Sequence, residues 1–330
     1  MNASGANAPR VSFELFPPRS DAAAIALGRS IDRLADVDPA FFSVTFGAGG
    51  SSRDRSLTVL RYILEHTEVH PMAHLTCVGL THAEANALVR QFLDAGITSF
   101  LALRGDPPAG TDFESNVGIG DLGSAAELVQ LIHRVQEERQ QFDPDFGPGP
   151  TWARDPRLPD PRRPLGDDAR LRIAVATAPT GHPQSRDLHQ DVDALLAKEA
   201  AGAELAITQL FWRVEDYTHF VDLARASGVT MPILPGIMPV TNAKRLARLT
   251  ELTEVEPPAA LTAGLNTGDE ASAAEFGIAY ATDLAERLIE ADAPGLHLYT
   301  YNRHETVLEV IGRLGLATSR ATPERNTARP

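Results

Sequence analysis

An alternation constrains this chain more than any single motif. Short apolar and β-branched runs recur at 11–16, 41–46, 72–78, 99–103, 172–177, 205–211, 233–237 and 297–301. Stretches with apolar residues at helical spacing lie between them, over about 21–34, 53–65, 124–138, 216–227, 242–253, 271–291 and 305–314. After Thr81 the residues Ala85, Leu88, Val89, Phe92 and Leu93 mark one helix face, with Thr81 suited to the N-cap and Gly96 to the stop. Another helix precedes Gly202. Such alternation predicts parallel strands joined by right-handed crossovers. Eight units are the count of an α/β TIM barrel, (β/α)8. A doubly wound open sheet shares the alternation, but no glycine-rich dinucleotide turn follows the first strand. Gly47-Ala48-Gly49-Gly50 follows the second, lacks the GxGxxG spacing and reads as a loop.

The expected organisation is an N-terminal arm over 1–10, one barrel over 11–315, and a flexible tail over 316–330. The barrel carries two additions: a Pro-rich insertion over 139–170 before the fifth strand, and an extra helix before the eighth. Seven of the 24 prolines fall in that insertion. A net charge of −14 argues against a nucleic-acid-coating surface, which needs a basic face. No run approaches eighteen apolar residues, so no membrane span is expected. One cysteine, Cys77, and an N-terminus without an apolar signal core point to the cytoplasm. An interface helix and an ordinary barrel helix share one pattern, and that pattern sets no oligomeric state.

In a barrel of this class, functional groups sit at the C-terminal ends of the strands. The polar residues there are Glu14, Thr45, His74, Arg104, Asp106, His182, Gln209, Tyr299 and Arg303. Glu14 lies in Ser12-Phe13-Glu14-Leu15-Phe16-Pro17-Pro18. A carboxylate in an apolar strand is costly unless paired or protonated, and a protonated one suits a general acid. The competing reading turns Glu14 outward into a salt bridge. Asp106, in Arg104-Gly105-Asp106-Pro107-Pro108, could accept two hydrogen bonds from an amidine-like heterocycle edge, or simply form an Asx-Pro turn. Gln209 offers a donor and an acceptor to such an edge, or is a satisfied core amide. His74 and His182 lack metal-ligand spacing, so no metal site is expected. A lone cysteine such as Cys77 is usually buried and inert.

Eight segments, in order, make the chain resemble the methylenetetrahydrofolate reductase family. They are Val11-Ser-Phe-Glu-Leu-Phe-Pro-Pro-Arg19, Ser43-Val-Thr-Phe46, Ala73-His-Leu-Thr-Cys77, Ala102-Leu-Arg-Gly-Asp106, His182-Pro183, Ala206-Ile-Thr-Gln-Leu-Phe211, Leu234-Pro-Gly-Ile-Met-Pro239 and Tyr299-Thr-Tyr-Asn-Arg303. The resemblance implies a TIM barrel that reduces 5,10-methylenetetrahydrofolate to 5-methyltetrahydrofolate with NADH or NADPH, NADH being favoured. It implies Glu14 as general acid and Asp106 as the group that binds the pterin and stabilises the developing cation. Gln209 would bond the pterin edge, Tyr299 would line the site, and Arg303 would meet the folate's anionic end.

The usual family member also carries FAD. The resemblance implies cofactor contacts at Thr45, Phe46, His74, Leu103, Arg104, Gly105, His182, Asp191 and Lys198. Phe46 lacks the hydroxyl expected of that aromatic. Ser124 and Ala178 stand at usual tyrosines, and Ala194 and Ala197 replace polar or basic residues. FAD binding is therefore doubtful, and direct hydride transfer from NAD(P)H in a ternary complex is the expectation. A flavin-dependent ping-pong enzyme is the alternative. A folate-binding barrel with little activity is the alternative of another class.

Overall fold

The computed structural model describes residues 10–46, 50–105, 120–140 and 172–316. In chain order the elements are β1 (Arg10–Leu15), α1 (Asp21–Ala35), β2 (Phe42–Val44), α2 (Gly50–His66), β3 (Pro71–Thr76), α3 (His82–Asp94), β4 (Ser99–Leu103) and α4 (Ala125–Gln140). There follow β5 (Arg172–Thr177), α5 (Leu188–Ala200), β6 (Leu205–Thr208), α6 (Val214–Ala226), β7 (Ile233–Leu234), β8 (Gly236–Ile237), α7 (Ala243–Thr253), α8 (Ala259–Leu265), α9 (Glu270–Glu290), β9 (Gly295–Tyr299) and α10 (His304–Arg313).

All the strand pairs are parallel, in the order β7-β6-β5-β4-β3-β2-β1-β9-β8. Only Pro235 separates β7 from β8, and proline has no N–H for the ladder. Its carbonyl still accepts from His297 N at 2.9 Å. β7 pairs with β6 and β8 with β9, so the two are halves of one broken seventh stave. The nine segments thus make eight staves, and the sheet closes on itself as a TIM barrel.

Strand parity separates two environments. Val11, Phe13 and Leu15 of β1 are buried in the large cluster with Leu27, Ile31 and Leu34 of α1. Ser12 and Glu14 therefore face the barrel axis. The interior is filled by Phe41, Met72, Leu101, Ala174, Leu205, Ile207 and Leu234. A polar set adjoins it: Ser12 Oγ lies 2.8 Å from His297 Nδ1, and the imidazole stacks on Phe41 at 5.7 Å.

Local signals in the sequence are realised where they are strong. Thr81 and Glu84 form a reciprocal capping box on α3. Gly96 takes the left-handed φ of +82° that ends that helix region. The sixth strand stops at Thr208, short of the expected residue 211. The short α8, behind Pro258, was not expected: seven residues rich in alanine carry too little periodicity to register. The helix before the last stave is present as α9. Nearly all of the expected arm, tail and Pro-rich insertion lies outside the described residues, and Arg10, placed in the arm, belongs to β1.

Gly277 anchors α9. A Cβ placed there would lie 1.7 Å from the backbone oxygen of Val240, which cannot yield as a flexible side chain can. Alanine normally gains about 1 kcal/mol over glycine inside a helix. Overpacking against backbone costs about 1–3 kcal/mol or more. Gly277→Ala should therefore lower the urea midpoint, despite its better helix propensity; an unchanged or higher midpoint would contradict this packing.

Candidate active site

Barrel closure brings Glu14 and Tyr299 together, since they are register partners across β1 and β9. Ser43 is the partner of Glu14 on β2. The carboxyl is recessed, with 16% of its side chain accessible, and His74 Nε2 lies 3.7 Å from Glu14 Oε2. That separation exceeds a hydrogen bond. Burial pushes the Glu14 carboxyl up to about 8 and the His74 imidazole down to about 3. At neutral pH both are uncharged, so the contact is not an ion pair. His74 Nε2 is buried and has no hydrogen-bond partner among the described residues. A protonated Glu14 is the donor best placed to satisfy it after a small movement. The outward salt bridge considered from sequence is not what the fold builds.

A phenol and an amide stand nearby. The Tyr299 hydroxyl donates to the Thr208 carbonyl at 2.8 Å, linking the last stave to the sixth across the broken seventh. Burial, with the negative charge Glu14 would carry, raises the phenol well above its usual range. Gly236 makes this crossing possible: a Cβ there would lie 2.4 Å from the Thr208 oxygen and 2.8 Å from the Tyr299 hydroxyl oxygen. Gln209 follows Thr208 and is exposed at the mouth. Its backbone N–H donates to Thr177 O at 2.7 Å, and its Oε1 accepts from Leu210 N at 2.8 Å. Its amide NH2 is without a partner among the described residues.

The turn after β9 is tied to the end of β1. Thr300 Oγ1 donates to the Glu14 carbonyl at 2.7 Å. Asn302 Oδ1 accepts from Phe16 N at 2.8 Å, and its Nδ2 donates to Phe16 O at 2.7 Å. Tyr301 and Asn302 both adopt left-handed backbone, at φ 52° and 58°. Such positions cost roughly 1–3 kcal/mol each and persist where the surroundings impose them. Arg303, at the N-cap of α10, is exposed just beyond this turn.

The expected cofactor residues on the other side of the mouth are largely engaged with one another's loops. Arg104 donates to Gln184 Oε1 at 2.6 Å. Asp191 accepts from His182 N at 3.1 Å and from Ser185 Oγ at 2.8 Å. Lys198 Nζ donates to the Ala176 carbonyl at 2.8 Å, and burial lowers it to about 8. Phe46 is half-buried and packs edge-on against Phe92 at 5.9 Å. Ser56 Oγ donates to the Thr45 carbonyl at 2.9 Å. Leu103 is half-buried against the barrel interior. Gly105 has a φ of +87°, and a Cβ there would meet Val78 Cγ1 at 2.7 Å. Asp106 lies outside the described residues. Ser124 caps α4, its Oγ accepting from Glu127 N at 3.2 Å. Cys77 is buried, and burial raises its thiol to about 11 despite the opposing charge of Arg104, a cation that the sequence alone did not place beside it. No cluster of three or more metal-ligating side chains occurs among the described residues.

Sequence reasoning missed Thr208, Gly236, Thr300 and Asn302. Only the glycine in Leu234-Pro-Gly-Ile237 carried a local signal, a small residue inside a strand.

A recessed, protonated carboxyl group beside a phenol and an imidazole sits at the C-terminal mouth of the TIM barrel, where enzymes of this fold carry their sites. The methylenetetrahydrofolate reductase family model matches residues 2–146 and 163–315. The 5,10-methylenetetrahydrofolate reductase of Salmonella typhimurium is 33% identical over 309 residues, covering 93% of this chain and 90% of that protein. The maize protein named methylenetetrahydrofolate reductase (NADH) 1 is 30% identical over 327 residues, 96% of this chain and 50% of its own length. A solved structure from Clostridium thermocellum, described as binding two copies of 5-methyl-5,6,7,8-tetrahydrofolic acid, superposes with a TM-score of 0.56. It is 13% identical and covers 94% of this chain and 95% of its own, a likeness of fold alone. The chain belongs to the methylenetetrahydrofolate reductase family, a family of oxidoreductases.

Two outcomes follow from this geometry. Glu14 holds its proton more tightly folded than unfolded, so its contribution to stability is full below pH 4.5 and is lost as pH rises through about 8. Relative to Glu14→Gln, the wild type should lose denaturant stability across that window; a difference that does not change with pH would refute the raised pKa. Gly236→Ala should break the Tyr299–Thr208 bond and weaken folate binding about tenfold, about the loss of one hydrogen bond; undiminished binding by titration calorimetry would refute that role.

Proposed function

We propose that this barrel reduces 5,10-methylenetetrahydrofolate to 5-methyltetrahydrofolate with a hydride taken directly from NADH or NADPH. The observation that carries the reading is the recessed, protonated Glu14 at the mouth. Glu14 gives its proton to N10 of the substrate's five-membered ring as the N10–CH2 bond breaks. The electron pair of that bond stays on N10, and the N5 lone pair forms the N5 iminium. The hydride from nicotinamide C4, with its two electrons, then adds to the methylene carbon. NAD(P)+ leaves, and solvent returns a proton to Glu14. Gln209 presents an amide to the pterin edge, and Tyr299, anchored on Thr208, walls the site beside the acid. Asp106 is assigned the pterin N–H groups and the developing positive charge.

The residues at the expected flavin face fit FAD poorly. Lys198 already donates to Ala176 O, so part of its donor capacity is used within the protein. Asp191 and Arg104 are engaged by the neighbouring loop. Phe46 packs into the core, and Ser124 is occupied in capping α4. Losing several contacts at about 1 kcal/mol each is enough to abolish stable binding at ordinary concentrations. Direct transfer needs both substrates together, with nicotinamide C4 roughly 3–3.5 Å from the methylene carbon.

The test uses purified protein and nicotinamide cofactor deuterated at the transferred position. Direct transfer predicts no flavin absorbance, retention of deuterium in the product methyl group, and intersecting double-reciprocal plots. Stoichiometric FAD, deuterium washed out to solvent, or parallel plots would replace this route with the ping-pong flavin one. Glu14→Gln should abolish turnover and leave folate binding largely intact. Equal turnover in that variant would remove Glu14 from the acid role, and absence of turnover in the wild type would favour a folate-binding barrel.

A further inference from the structure

A line of polar groups runs down the barrel axis beneath the acid, and the chemistry above makes no use of it. TIM-barrel interiors are packed mainly with branched apolar side chains. From β4 to β7 this one follows that rule, with Leu101, Ala174, Leu205, Ile207 and Leu234. From β9 to β3 it carries Ser12, Ser43, His74 and His297, all buried. Buried polar groups cost free energy unless they are hydrogen-bonded. Ser12 Oγ lies 2.8 Å from His297 Nδ1 and 3.3 Å from the Leu296 carbonyl oxygen. Ser43 Oγ lies 3.5 Å from His297 Nε2. The imidazole is held between Phe41, stacked at 5.7 Å, and Tyr299, edge-on at 5.3 Å.

Both ends of the line lead somewhere. At the upper end, Ser43 is the register partner of Glu14, and His74 Nε2 is 3.7 Å from Glu14 Oε2. His74 is also close enough to His297 that a charge on one opposes a charge on the other. Burial lowers both imidazoles to about 3, so each is neutral at pH 7, with one N–H and one bare nitrogen. At the lower end, Ser12 lines a pocket at the N-terminal ends of the staves, with Arg10, Ala40, Pro232 and Pro294. Arg10, Ala40 and Pro294 are partly exposed, so the pocket reaches the surface opposite the mouth, and it has room for water. Hydroxyls and neutral imidazoles both donate and accept. A line of them passes a proton by exchanging each hydrogen bond for the next, and no member keeps a charge.

We propose that Ser12, His297, Ser43 and His74 return a proton to Glu14 from the pocket at the N-terminal end of the barrel while the mouth is covered. This rests on the reading of Glu14 as the acid. Each turnover takes one proton from Glu14 and one hydride from the nicotinamide, and leaves a carboxylate against the bound product. Its surroundings disfavour that charge, and the ligands over the mouth keep bulk water from it. Glu14 takes a proton from His74 or Ser43, each donor is refilled by the group beneath it, and Ser12 takes the last from water in the pocket. The net change is uptake of one proton from solution, with no electrons moved. Ser12 and His297 lie beneath the acid and act through it, not on the substrates.

The test follows a single turnover at pH 7 in weak buffer, with enzyme in excess over folate. Absorbance reads NAD(P)H oxidation, and a pH indicator reads proton uptake. In wild type, uptake should keep pace with oxidation. In Ser12→Ala and His297→Gln, oxidation should be unchanged, because Glu14 starts protonated, and this also shows that the variants are folded. Uptake should lag by about tenfold, the effect of one lost hydrogen-bonded link, and kcat should fall with it. Ser12→Thr, which keeps the hydroxyl, should restore the pace. Oxidation and uptake slowed together would reduce the line to packing and overturn the proposal. Uptake in step with oxidation in every variant would overturn it too, since Glu14 would then be refilled through the mouth. Turnover retained by Glu14→Gln would instead overturn the reading of Glu14 as the acid.

Discussion

The pairing of β1 with β9 is the constraint on which the site depends. It joins residues almost three hundred positions apart and converts an open row of strands into a barrel. Closure sets Glu14 beside Tyr299 and points both at the axis. The side chains of Thr300 and Asn302 reinforce the seam by bonding the backbone of Glu14 and Phe16. Two consecutive left-handed residues are held against their preference by those bonds. Glu14, Tyr299 and Arg303 are thus positioned by one seam, on short tethers from rigid strands.

Burial then sets the chemistry. One polar cavity wall keeps Glu14 protonated and His74 unprotonated, because each is denied the solvent that its charged form needs. No cationic partner lies close enough to reverse that preference among the described residues. The acid is therefore available at neutral pH through desolvation alone. The far side of the mouth is organised differently. There Arg104, Asp191 and Lys198 are held by loop groups and a strand carbonyl, and their charges support the architecture around β4, β5 and α5.

Much of this was legible in the sequence, for identifiable reasons. The eight staves register because period-2 burial and helical periodicity are strong over those segments. Glu14 stands out because a carboxylate among Phe13, Leu15 and Phe16 contradicts its surroundings. The rest depends on contacts distant in sequence. Nothing local announces that Tyr299 will reach Thr208 over Gly236, or that Asn302 will bond Phe16. The seventh strand, expected as one run over 233–237, is split by Pro235 into two ladders without opening the barrel. His297 drew no notice because nothing local marks its partner; only the fold sets it against Ser12.

The central claim is that Glu14 is an acid held protonated by the barrel. The most direct measurement is the infrared signature of its carboxyl group, isolated as the difference between wild type and Glu14→Gln over a pH series. The protonated-carboxyl band should persist at pH 7 and disappear as pH passes about 8. A band already lost near pH 4.5, the value of an ordinary glutamate, would contradict the account.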